Sequence, residues 1–129
     1  MIPESKLIDI ATKLLEKSKR GEVHWNPRTG SPTSDDFVVW FPTSCIHLKM
    51  IRPESEPEYL RFEILNDAGQ TVGGLTIQAG EPNWSLFQDL FSAADRYVTK
   101  WDQVLDEIES EMTREGTVGQ TPQVGKPRS

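Results

Sequence analysis

Two histidines and one cysteine are all that this chain offers for imidazole or thiol chemistry. Cys45 and His47 stand two residues apart in a stretch that alternates apolar and polar, so a strand would carry both on one face. Strand geometry then separates their attachment points by about 7 Å, too far for the direct contact that a thiol–imidazole pair needs. No carboxylate is fixed beside them by spacing. A zinc centre would have to join His24, Cys45 and His47 to a fourth ligand, and neither half has a usual ligand spacing. Asp35-Asp36, behind Ser34, is an acid pair at a strand start without the spaced oxygens of a calcium loop. Gly73-Gly74 runs on into a strand with no Lys-Ser/Thr behind it, unlike a phosphate loop. The sequence contains neither Gly-x-Ser-x-Gly nor His-Glu-x-x-His. The reading is a protein with no catalytic residue, no cofactor and no metal.

Surfaces remain. Alternation puts His47, Lys49, Tyr59, Arg61 and Glu63 on the wet side of a sheet, joined by Trp40 or Trp25. Lys and Arg across from Glu is ordinary sheet pairing. A Trp, a Tyr and an Arg gathered together would instead resemble an interaction hot spot. The other surface is helical. Phe87, Phe91, Ala94, Val98, Trp101, Leu105, Ile108 and Met112 alternate spacings of four and three, which keeps one stripe along a helix over residues 83–115. Around its distal half stand Asp102, Asp106, Glu107, Glu109, Glu111 and Glu115, against Lys100 and Arg114. Like charges four apart each cost a few tenths of a kcal/mol, and acids near a helix C-terminus oppose its dipole. Packing or a basic partner would have to compensate.

These residues are positioned by a simple order of elements. Leu7, Ile8, Ala11, Leu14 and Leu15 fall on one face of a first helix, with Ser5 as its cap and Gly21 as its stop. Residues 22–25 are either a brief fourth strand or only an extended lead-in, halting at Asn26-Pro27, and 26–36 is a loop by its breaker residues. Residues 37–41 follow, apolar on both sides. Stretches 45–52 and 59–66 alternate, with Ile46, Leu48, Met50, Leu60, Phe62 and Ile64 inward. Asn66-Asp67-Ala68-Gly69 is a hairpin turn, and 71–78 completes the meander, with Gly73-Gly74 marking a bulge or close approach. The expected fold is α+β and two-layer. An antiparallel meander of three to four strands carries an N-terminal and a long C-terminal helix on one face. A thirty-residue helix overshoots such a sheet by roughly 20 Å, which leaves Trp101, Leu105, Ile108 and Met112 in need of cover.

The length of 129 residues suits one domain, read as 1–115, followed by a disordered tail over 116–129 with few apolar residues. A net charge of −6 argues against nucleic acid and anionic membrane surfaces. With one cysteine, no bilayer-length apolar run and no signal-peptide pattern, the expected location is cytoplasmic.

The opening helix leading into Gly21-Glu22-Val23-His24-Trp25, the run Phe37-Val38-Val39-Trp40, the hairpin of residues 60–69 and Val104-Leu105-Asp106-Glu107-Ile108 together resemble a loose group of short bacterial helix–sheet–helix proteins without an assigned function. The resemblance implies the element order and a bacterial cytoplasmic setting, and no catalytic residues. The function expected is a non-catalytic interaction or adaptor protein. Trp101, Leu105, Ile108, Met112, Glu107 and Glu111 would bind another protein or a second copy as a homodimer; His47, Lys49, Tyr59 and Arg61 form a secondary surface. One alternative is an acidic inhibitor or immunity-type protein that blocks a basic site. Another is a small-molecule binder or enzyme with a pocket between sheet and helices, near His24 and Cys45.

Overall fold

The computed structural model describes residues 1–28 and 35–119, and for Trp101 and Asp102 the backbone alone. Residues 29–34 of the expected loop, and the expected tail beyond residue 119, lie outside the described residues. The elements run α1 (Glu4–Lys19), β1 (Asn26–Pro27), β2 (Asp36–Phe41), β3 (Ser44–Ile51), β4 (Tyr59–Asn66), β5 (Thr71–Gln78), α2 (Trp84–Thr99) and α3 (Trp101–Thr113). They fall into two compact units, Met1–Thr99 and Lys100–Ser129. The fold is α+β: among the described residues, three helices accompany a five-stranded antiparallel sheet in the order β1-β2-β3-β4-β5.

Five strands replace the three to four expected, because the first strand is not where the β-propensity lies. Residues 22–25 are a lead-in that buries Val23 and Trp25, and the pairing falls on Asn26 and Pro27, opposite Val38 and Phe37. Proline is tolerated there because β1 is the sheet edge, where a missing N–H leaves no ladder bond unmade.

Register sorts the side chains. Phe37, Leu48, Phe62 and Leu75 form one row across four strands, and Val39, Ile46 and Ile64 form the next. Leu7, Ala11, Leu14 and Leu15 of α1 and Phe87, Leu90, Phe91 and Ala94 of α2 join these residues in one core. Phe37 meets Phe91 at 5.2 Å between centroids, and Phe62 meets Phe87 at 5.3 Å, both tilted. Each fully buried Phe or Leu here contributes about 1.5–3 kcal/mol relative to exposure.

α1 starts behind Pro3, whose carbonyl accepts from the Lys6 and Leu7 amides, so the Ser5 cap expected from sequence is not used. Its end follows expectation, with Gly21 at φ +70° and the Glu22 amide reaching back to the Lys17 carbonyl. Gly73 explains the glycine pair in β5: a Cβ there would stand 3.0 Å from Ile2 Cβ and 3.1 Å from Leu7 Cδ2. The Ile2 amide donates to the Val72 carbonyl at 2.9 Å, which brings the N-terminal segment across the strand. A register shift opposite Ile64 and Leu65 supplies the bulge.

The single helix expected over 83–115 is two helices. Lys100, at φ 53° and ψ 36°, separates α2 from α3 in the left-handed region. The cause is local. Val98 and Thr99 are β-branched, and the Thr99 hydroxyl donates to the Asp95 carbonyl at 2.7 Å, a bond that loosens a helix from within. Lys100's carbonyl then accepts from the Gln103 and Val104 amides and starts α3.

Candidate functional site

The sheet face turned away from the core carries the polar chemistry. Val38 pairs with His47 and His47 with Glu63, while Trp40 pairs with Cys45 and Cys45 with Leu65. Arg28, which follows β1, reaches over the first of these rows. Its Nη1 stands 3.1 Å from His47 Nδ1 and 3.3 Å from Nε2. His47 Nε2 contacts Asp36 Oδ1. A guanidinium can only donate, so Nδ1 accepts from Arg28 and the ring hydrogen on Nε2 goes to Asp36. Both ring nitrogens are satisfied, which allows His47 to be 93% buried on a nominally wet face.

Beside this relay lies a pocket of about 400 Å³, lined by Arg28, Val38, Trp40, Cys45, His47 and Leu65 and reaching the two hairpin turns at Pro42 and Asp67. Its floor is dry, since Val38 and Cys45 are buried. Its wall is Trp40, which is 67% exposed. Of the two tryptophans left open by alternation, Trp40 therefore faces out. Trp25 is in the core, with its Nε1 donating to Ser18 Oγ at 3.0 Å.

The expected secondary surface is split. Lys49 is exposed, Tyr59 and Arg61 are half-buried, and His47 lies beneath Arg28. Arg61 is engaged with Glu63 at 3.4 Å and donates to Thr76 Oγ1 at 2.9 Å. Cys45 and His47 share the face, as alternation requires, without being a direct pair. His24 lies elsewhere: its Nδ1 is 2.9 Å from the Tyr97 hydroxyl, and it lines a second pocket of about 290 Å³ with Leu14, Val23 and Phe41. His24 and Cys45 thus line different pockets, and Phe37, Phe62 and Phe87 fill the space between the sheet and α2.

Of the helical set, Leu105, Ile108, Met112 and Glu107 are exposed on α3, together with Val104. Glu111 pairs with Arg114 at 2.7 Å, and the Trp101 side chain lies outside the described residues. A further polar cluster ties β2 to β3 and β4: Arg52 contacts Asp35 and stands 3.3 Å from Glu58. Next to it, burial and then the charge of Asp35 hold the Asp95 carboxyl above its ordinary range, with Arg52 opposing. Among the described residues no three His, Cys, Asp or Glu side chains converge as a metal site, and no helix is long and apolar enough to cross a membrane.

Arg28 and Asp36 are the functional candidates that sequence reasoning missed. Asp36 was visible as an acid at a strand start. Its register opposite Lys49, two pairs from His47 and so on the same face, follows from a pairing that spacing does not reveal. No protein-family model, curated protein or solved structure matches the chain.

Proposed function

We propose that the protein is a small non-catalytic binding module whose contact element is α3, and whose partner is a different protein with an apolar groove rimmed by Lys and Arg. The observation that carries this reading is the outward stripe: Val104, Leu105, Ile108 and Met112 are 45–64% exposed. An amphipathic helix of this kind fits helix-in-groove recognition, with anchors one turn apart. Charge argues for the partner's chemistry. Between Trp101 and Thr113 there are five acidic residues and no Lys or Arg. Two copies meeting along the stripe would bring like charges together without compensation, whereas a basic rim would be drawn to them. A basic-site inhibitor is the special case in which that groove is a working site. In this reading Met1–Thr99 is a two-layer carrier in the cytoplasm, where a lone buried cysteine stays reduced.

The test is the solution mass of the full chain by light scattering, beside Leu105→Lys/Ile108→Lys. The expected result is a monomer in both forms, each folded, with a captured partner lost from the double variant. Glu107→Gln/Glu111→Gln should weaken that partner and flatten its salt dependence. A dimer that the lysines dissociate would overturn the reading in favour of self-association. A monomer that they unfold would make the stripe plain core.

A further inference from the structure

We infer that the pocket on the outer sheet face binds a small monocarboxylate with a flat apolar body, the carboxylate on Arg28 and the body along Trp40. The volume of about 400 Å³ lies within the range of small-molecule sites. Its chemistry is graded along the strands. At the level of Val38 and His47 stands one cation, Arg28; one level on, Trp40, Cys45 and Leu65 are apolar. Two rows of one sheet face are thus charged and then greasy, at a separation of about 7 Å.

Arg28 is prepared for the anion. The His47–Asp36 relay occupies Nη1 alone, and the structure gives Nε and Nη2 no ion pair among the described residues. Those two nitrogens form one edge of the guanidinium, the edge that matches a carboxylate bidentately. Asp36 holds the imidazole that in turn accepts from Nη1, so it orients the arginine through His47. His47 is a positioning residue here, because it would not touch the ligand's charge.

Trp40 supplies the other half. A ring this exposed forgoes burial that a flat ligand lying on it would recover, over a floor that is already dry. One cation and the nearby Asp67 make the site poor for phosphates or polyanions, which need several positive groups. The Cys45 thiol is part of that buried floor, and no covalent step is involved.

The experiment is an amide NMR titration of the full chain with 2-naphthoate and with the neutral 2-naphthalenemethanol. Shifts should centre on residues 38–41 and 44–47 and on the Trp40 indole N–H, with the acid binding about ten-fold more tightly than the alcohol. Arg28→Gln should reduce that preference to within about two-fold while leaving alcohol binding in place. Trp40→Ala, at a mostly exposed position that cannot collapse the core, should weaken both ligands about five-fold. Equal affinity of acid and alcohol for the unaltered protein would overturn the inference, as would shifts centred on another surface. If Arg28→Gln fails to fold, unchanged binding by Trp40→Ala would still overturn it.

Discussion

His47 shows how a polar residue survives under cover on a face meant for water. Its two ring nitrogens are spoken for by Arg28 and Asp36, and each partner comes from a different strand region. Asp36→Ala leaves the Nε2 hydrogen buried and unpaired, and should cost about 1–3 kcal/mol, read as a lower urea midpoint at constant slope. Trp40→Ala, by contrast, should change stability by less than about 0.5 kcal/mol. Asp95 makes a pH prediction. Its folded pKa is raised, so folding favours the protonated carboxyl; that contribution is full below the ordinary carboxylate range and lost as pH rises through the folded value. Asp95→Asn should therefore melt slightly higher than the parent at neutral pH, and the gap should close as pH falls to about 3. At this scale, alternation placed His47, Lys49, Arg61 and Glu63 on one face. It could not place Arg28, because that depends on a contact between residues 19 apart in sequence, with β2 and two chain reversals between them.

Among elements, the stripe from Phe87 to Met112 was legible and its interruption was not. One left-handed residue at Lys100 leaves the four-and-three spacing intact on either side, so periodicity is blind to it. The break follows instead from Val98, Thr99 and a hydroxyl bonded back into the helix. β1 failed the opposite way: an Asn-Pro pair reads as a stop, yet two residues pair at an edge where proline is allowed. The strands from β2 to β5 were legible within a residue at each end: β2 as an apolar run, β3 and β4 from their alternation, and β5 from the turn at Gly69. The two glycines of β5 make a paired prediction. Gly73→Ala pushes on the Cβ of Ile2 and a methyl of Leu7, and should cost about 1–3 kcal/mol. Gly74→Ala meets only the guanidinium end of Arg61, 2.6 Å away but able to swing, and should cost much less. Thermal melts of the two variants side by side check this.

At the scale of the whole molecule, the core residues among those described all lie in Met1–Thr99. A chain ended at Thr99 should keep its near-ultraviolet dichroism and a cooperative melt within about 4 °C of the full chain. It should lose far-ultraviolet helix signal in proportion to α3. A non-cooperative melt would mean that the first unit does not stand alone.

One packing relation sets an order of events in time. The apolar face of α1 is buried against β5 and α2, elements that follow it by roughly fifty and roughly sixty-five residues. During synthesis at about 5–20 residues per second, Leu7, Ala11, Leu14 and Leu15 would leave the ribosome and remain uncovered for several seconds before their partners exist. The nascent first helix is thus the part of this protein most exposed to chaperones, and slowing translation between Lys19 and Trp84 should lengthen that exposure without altering the finished fold.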